Sequence, residues 1–380
     1  MKKTYLLTPG PTAIPETVRS VFSQPIIHHR TPAFEKLFEN CKEGLKYLFQ
    51  TKQDVLMLAA TGTGAMEAAV TNVFCKGDTV ITVNAGKFGE RWGKIAKAYG
   101  LNPVEIKIAW GEAVTAAQLE DAIKKNPNAR GILFQASETS TGTRMPTQEI
   151  CAIAGRAGMI SVCDAITACG VFELPMDAWG IDVLITGSQK ALMLPPGLAM
   201  IALSERAWAA NAKSDLPRFY FDLAKERKSL PTNQTAWTPA ITLIQGLEES
   251  LRLIREEGLS NLFKRHEQLA RATRAGCAAM GLDTLSKTSP STAVTAVLLP
   301  ASIGDGKKVP KLLRDKYGIT VVGGQDDYTG KIVRLSHFGY CDKFDVVTVL
   351  AGLELALHEL GHKVEFGKAV GAALKVFSEA

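Results

Sequence analysis

Short, near-continuous apolar runs alternate with helical patterns through the first two-thirds of the chain, and this alternation constrains the fold most. The runs are "DVLMLAA" (Asp54–Ala60), "TVITVN" (Thr79–Asn84), "GILFQ" (Gly131–Gln135), "MISVCD" (Met159–Asp164), "IDVLITG" (Ile181–Gly187) and "LAMIAL" (Leu198–Leu203). A strand that is apolar on both faces must be covered on both faces. Helices lie between the runs, the first from about Ala65. They imply right-handed crossovers and an α/β fold with a mainly parallel sheet and helices on both faces. The close spacing of the last two runs predicts one antiparallel pairing.

With 380 residues, the chain exceeds what one core usually holds. In "ITLIQGLEESLRLIREEG", Ile244, Leu247, Leu251 and Ile254 recur at helical spacing, Glu248 and Arg252 stand as an i,i+4 pair, and Gly258 is the stop. Beyond it, "AVTAVLLP" (Ala293–Pro300), "GITVV" (Gly318–Val322) and "KIVRLS" (Lys331–Ser336) alternate with helices around Val309–Lys316 and Asp345–Leu360. This predicts a smaller C-terminal α+β domain. The expected division is an N-terminal arm over 1–15, a large domain over 16–258 and a small one over 259–380.

Composition excludes several classes of function. No apolar run reaches the roughly 18 residues of a membrane span, and prolines break the short apolar start, so neither a span nor a signal peptide is expected. The net charge of +6 is spread without a basic block, which gives nucleic-acid binding no support and leaves anionic small substrates open. Seven cysteines, an odd count without a C-x-x-C pair, fit a reducing cytoplasm.

Chemistry gathers at the ends of the apolar runs. In "ITGSQKALMLPPGLAM" (Ile185–Met200), Lys190 sits between two apolar stretches. A partly buried lysine is paired, neutralised or used as a nucleophile, although an exposed loop lysine is the commoner case. Asp164 ends the strand "MISVCD", at the edge where open α/β sheets bind ligands. It could hold a pyridinium nitrogen or merely cap a turn. "ATGTGAMEAAV" (Ala60–Val70) joins a strand end to a helix start, which suits a phosphate or simply a tight turn. It is neither a Walker A loop nor G-x-G-x-x-G. Phe88, in "NAGKFGERWG", could stack on a planar ring or pack ordinarily. "SETSTGTR" (Ser137–Arg144) offers Glu138, Thr139 and Thr141 at the same edge. "HELGH" (His358–His362) matches the zinc pattern H-E-x-x-H. Gly361 falls inside it, however, and a third ligand would have to be Glu365 or Glu379, so no metal site is expected.

In order, "LTPGPT", "HHRTPAF", "TGTGAMEAA", "GKFGERW", "ETSTG", "DAITACG", "GIDVLITGSQKALMLPPGLAM", "TPAITLIQGLEESL" and "GGQDDYTGKIVRLSHFGY" resemble the class V aminotransferases. Within these the likeness is to the alanine–glyoxylate / serine–pyruvate group. The resemblance implies the PLP-dependent transferase fold type I with a seven-stranded sheet, pyridoxal 5′-phosphate as cofactor, and a homodimer with active sites at the interface.

It also implies roles. Lys190 would form the internal Schiff base and Asp164 would pair with the ring nitrogen. Phe88 would stack on the ring and Ile166 would pack beneath it. Thr63, Gly64 and Ala65 would cradle the phosphate with help from Gln189. Thr139 would meet the ring hydroxyl, and Thr238 would reach the phosphate from the partner subunit. Arg334 would bind the substrate carboxylate, with Pro9 and Gly10 of "LTPGPT" beside the substrate. The implied reaction moves the amino group of alanine or serine to glyoxylate or pyruvate by ping-pong exchange. The alternatives are a cysteine desulfurase, for which Cys341 is the candidate nucleophile, a lyase, or a PLP-fold subunit of a larger complex. Ala136 and Ser137 replace a common His-Gly, and Ser336 stands where glycine is common.

Overall fold

The computed structural model describes residues 3–379, so residues 1 and 2 of the arm lie outside it. Its centre is a seven-stranded sheet. In chain order the strands are β1 (Val55–Leu58), β2 (Thr79–Asn84), β3 (Asn102–Lys107), β4 (Gly131–Gln135), β5 (Ile160–Asp164), β6 (Val183–Gly187) and β7 (Ala199–Leu203). Across the sheet they run β1-β7-β6-β5-β4-β2-β3. Every residue of β1, β4, β6 and β7 is buried, which is why those runs carry no polar alternation.

All neighbours pair parallel except β7. That strand is antiparallel to both β6 and β1, so one reversed strand makes two antiparallel pairings instead of the one expected. β5 is the middle strand. Its last residue, Asp164, faces Gln135 of β4 and Ile185 of β6 in register.

The helices used below are α1 (Pro32–Phe49), α2 (Gly62–Val73), α3 (Lys87–Ala98), α4 (Ile241–Glu257), α5 (Leu259–Ala279) and α6 (Lys343–Glu359). α2 starts at Gly62 rather than near Ala65, because Thr61 is already the extended residue before the first turn. α4 buries Ile244, Leu247, Leu251 and Ile254 as its spacing predicts. The expected Glu248–Arg252 pair does not form. Glu248 accepts from Asn40 Nδ2 of α1 at 2.7 Å, and Arg252 turns instead to Glu249 and Glu256 at 2.7 and 2.8 Å. These exposed pairs are worth little to stability, so a competing partner across the helix interface decides the geometry.

The buried apolar residues form two cores. One surrounds the seven-stranded sheet. The other holds Leu7, Leu269, Ile319, Val333, Leu335 and Leu353 among others. Gly258, at φ +77, ends α4 and begins α5. Leu262 of α5 still packs in the first core and Leu269 in the second.

The second core lies against a three-stranded antiparallel sheet of β8 (Val294–Leu298), β9 (Val322–Gly323) and β10 (Ile332–Ser336), in the order β8-β10-β9. The run read as "GITVV" is divided. Ile319–Thr320 pairs parallel with Tyr5–Leu6 of the arm, while Val322–Gly323 pairs with β10. Among the described residues no helix is long and apolar enough to cross a membrane.

Candidate active site

The segments that follow β1, β2, β4, β5 and β6 leave the sheet at one edge, where open α/β sheets place ligands. β6 ends at Gly187, and Ser188, Gln189 and Lys190 follow. The turn is pinned from below, because Ser188 Oγ donates to the Pro195 carbonyl at 2.7 Å and accepts from Leu198 N at 3.2 Å. Thr12 pins it from above, its N–H on the Gln189 carbonyl at 3.1 Å and its hydroxyl on the Lys190 carbonyl at 2.9 Å.

Lys190 is half-buried, and its Nζ donates to the Pro9 carbonyl. Burial pushes its pKa down to about 8. Asp164 opposes this shift, while Arg334 and Arg91 reinforce it. Gly10, at φ +117, is part of the same cover. Pro9 and Gly10 therefore lie directly on the lysine.

Asp164 is 5% exposed. Its Oδ1 accepts from Ile166 N at 2.8 Å. Burial raises its pKa to about 6, the Ile166 N–H counters, Glu138 adds to the rise, and Arg91 and Lys190 lower it. The Ile166 side chain crosses to α2, where a Cβ on Gly62 would overlap its Cδ1 and come within 2.8 Å of its Cγ1. Gly62 is small because Ile166 needs the room.

At the start of α2, Gly64 and Ala65 donate their N–H groups to the Thr61 carbonyl at 2.8 and 3.3 Å. These two therefore enter the turn as its hydrogen-bonded floor. The side chain that Gly64 lacks would meet Ala60 Cβ at 2.8 Å and Phe221 Cζ at 3.1 Å. The first-turn donors without a helical partner are Gly62 and Thr63, and Thr61 supplies no side-chain cap.

Phe88 is half-buried in the first turn of α3. Its N–H and that of Gly89 point to the Glu138 carboxylate at 3.4 and 2.9 Å. Glu138 is fully buried and also accepts from Gln135 Nε2 at 3.0 Å and from Ser140 N at 3.1 Å and Ser140 Oγ. Burial raises its pKa. The Thr139 hydroxyl bonds Thr167 Oγ1 at 2.8 Å. The Thr139 carbonyl accepts from Arg334 Nη1 at 3.2 Å, and Arg334 Nε donates to the Gly323 carbonyl at 3.0 Å. Arg334 is 7% exposed and has no ion pair among the described residues. Burial lowers its pKa to about 10, with Glu138 opposing.

The candidates thus converge, with one exception. Thr238 is exposed on the loop before α4, and none of these contacts reaches it. Arg91 and Thr167 belong to the cluster but carry no motif of their own. The three-residue spacing from Phe88 to Arg91 was the available signal.

"HELGH" is broken by the end of α6 at Glu359, and Gly361 has φ +85. His358 lies against Phe366, with ring centroids 4.9 Å apart, and His362 Nδ1 bonds Ser302 Oγ at 3.0 Å. The two imidazoles do not share a helix face. Cys341 is buried in the second core, and burial pushes its thiol pKa up. A thiolate nucleophile needs the opposite shift.

Comparison with known proteins agrees with this arrangement. The family model "Aminotransferase class-V" matches residues 4–349. The soluble hydrogenase 42 kDa subunit of Anabaena cylindrica is 37% identical over 381 residues, covering 99% of each chain. The serine–glyoxylate aminotransferase of Methylorubrum extorquens is 33% identical over 393 residues, covering 99% of this chain and 96% of its own. Among solved structures, the ureidoglycine–glyoxylate aminotransferase of Bacillus subtilis superposes with a TM-score of 0.94 at 33% identity, covering 100% of this chain and 99% of the other. The chain belongs to the class-V aminotransferase family, and its cofactor is pyridoxal 5′-phosphate.

The residues fit that cofactor on one independent observation. Gln189 Oε1 is buried with no partner. It lies 3.1 Å from where a Cβ on Gly187 would stand, and that point is 3.6 Å from Gly62 N. Turned over, that carboxamide presents its Nε2 donor at the same place, and a donor beside an uncapped helix start and bare glycine backbone suits a phosphate.

Proposed function

We propose that this class-V aminotransferase moves the amino group of a small amino acid, serine or alanine, to a small 2-oxo acid, glyoxylate or pyruvate. The transfer runs in two half-reactions. Glyoxylate is the better-supported acceptor, because it appears in the names of both the Methylorubrum and the Bacillus relatives while their donors differ. Bound pyridoxal 5′-phosphate supplies an aldehyde carbon that takes the amino group and a ring that takes up the electron pair released at the substrate Cα.

The chain's own residues do the rest. Lys190 Nζ would hold the cofactor and, once released from it, would take up the proton of the substrate Cα and give it back, as base and then acid. Its pKa of about 8 keeps a usable neutral fraction near pH 7. Asp164 stays ionised beside the ring nitrogen. Phe88 and Ile166 would hold the ring between them, and Thr139 would meet its hydroxyl. Thr63 and Gln189 hold the phosphate, with Gly64 and Ala65 forming the turn beneath it. Arg334, a buried guanidinium whose bonds are to two carbonyls, takes the substrate carboxylate in a bidentate grip. Pro9 and Gly10 close over the lysine and border the substrate.

We further propose a homodimer in which a second copy brings Thr238 to the phosphate. The support is the exposure of Thr238 beside an aromatic group, Phe219 (70% exposed), Tyr220 and Trp237. The two cores support a cofactor-binding part over 16–258 and a smaller part over 259–380, with 1–15 as an arm. All seven cysteines are free and six are buried, which supports a reducing, cytoplasmic setting.

The observation that carries this reading is the convergence of Lys190, Asp164 and Arg334 at one sheet edge. The test is borohydride reduction of the holoenzyme followed by peptide mapping, alongside a donor–acceptor screen. We expect the label on Lys190 and turnover with glyoxylate. Lys190→Ala should keep the fold, lose the label and fall about 10³-fold in turnover. A label on another side chain, or parental turnover in the variant, would overturn the assignment.

The Anabaena relative favours a second reading, a subunit of a larger complex. The intact lysine, aspartate and arginine weigh against it. A purified chain that binds the cofactor but transaminates no amino acid would restore it.

A further inference from the structure

Arg91 leaves α3 three residues after Phe88, on the same side of the helix. Its guanidinium carbon stands 5.0 Å from the centroid of the Phe88 ring. Its Nη1 donates to the Thr63 hydroxyl at 3.0 Å, across 28 residues of chain. It forms no ion pair among the described residues, and its neighbour Glu90 is occupied by Lys87 and Lys94 at 3.3 and 2.8 Å. An unpaired guanidinium thus touches the ring-stacking residue and the phosphate-facing residue at once.

We propose that Arg91 is a positioning residue that couples Phe88 to Thr63, so that the ring and the phosphate of the cofactor are held through one guanidinium. The inference rests on the cofactor reading above. Because the Thr63 oxygen accepts from Arg91, its own proton is left to point elsewhere, and donation into a polarised chain is strengthened. The guanidinium also fixes the Phe88 ring by cation–π attraction. A lysine could supply the charge but not the planar group that stacks and donates together. The same cation lowers the pKa of both Asp164 and Lys190, which places it within electrostatic reach of the reacting groups.

The test is a set of cofactor dissociation constants, measured by returning pyridoxal 5′-phosphate to resolved holoenzyme and following its absorbance. Arg91→Ala should weaken binding about tenfold or more, and Thr63→Val severalfold in the parental background. Added to Arg91→Ala, Thr63→Val should cost less than about twofold, since its partner is already gone. Arg91→Lys should fall between parent and alanine. Affinity within twofold of parent in Arg91→Ala, or an equal cost of Thr63→Val in both backgrounds, would overturn the coupling. A lowered melting temperature with unchanged affinity would also overturn it, by leaving Arg91 a packing role alone. If Arg91→Ala does not fold, Arg91→Lys and its double variant with Thr63→Val run the same cycle. A parental chain that takes up no cofactor would sink the cofactor reading itself, whereas normal uptake by parent and variant alike would sink only this inference.

Discussion

Gly10 and Lys190 compete for one space: a Cβ on Gly10 would come within 2.6 Å of both Cδ and Cε of the lysine. The glycine also holds φ +117, which L side chains rarely adopt. Gly10→Ala should therefore push the lysine off its seat. We expect kcat/KM to fall about 100-fold or more from the misplacement, with a stability loss of about 1–3 kcal/mol from backbone strain. Steady-state kinetics and a denaturant curve separate the two effects.

Lys190 and Asp164 predict the pH dependence of the cofactor-free chain. The folded pKa of Asp164 is raised from 3.8 to about 6. Between those values the native state binds more protons than the unfolded one, so stability falls as pH rises through that window. The pKa of Lys190 is lowered from 10.5 to about 8. Between 8 and 10.5 the unfolded state binds more protons, so stability climbs with pH. Urea midpoints across both windows, compared with Asp164→Asn and Lys190→Met, should show each variant flattening its own limb. Limbs unchanged in the variants would disprove the assignment.

Arg334→Lys keeps a positive charge but loses the fork. The KM for the amino acid should rise about 10- to 100-fold, as expected when a charge-assisted pair is broken. The melting temperature should move little, because the arginine bonds only two carbonyls within the chain. An unchanged KM would place the carboxylate elsewhere.

Glu138→Gln replaces one acceptor oxygen with a donor amide amid the N–H groups of Phe88, Gly89 and Ser140. We expect about 2–3 kcal/mol of destabilisation and weaker cofactor binding, because the Phe88 turn is tied to that carboxylate. Calorimetry of the cofactor-free and loaded forms checks both.

The large sheet was legible because burial on both faces writes itself as uninterrupted apolar runs. The positions of Lys190 and Phe88 at the sheet edge were legible because each follows such a run, and that of Asp164 because it ends one. What stayed hidden depends on partners distant in sequence. Arg91 gains its meaning from Thr63 across a helix gap, and Thr167 from the Thr139 hydroxyl. Glu248 looked paired within its helix until Asn40 of α1 competed for it. The glycines at the start of α2 resemble a turn in the sequence, and only Ile166 shows that Gly62 makes room within a helix. The division of "GITVV" has the same origin, since no local pattern shows that a strand changes sheets.

That division has a mechanical result. Ile319–Thr320 is laced to the arm leading to Pro9 and Gly10, and Val322–Gly323, just beyond, is laced to the strand bearing Arg334. One short length of backbone therefore ties the cover over Lys190 to the strand that carries Arg334. Two parts of the site thus share a single register, set by five consecutive residues from Ile319 to Gly323.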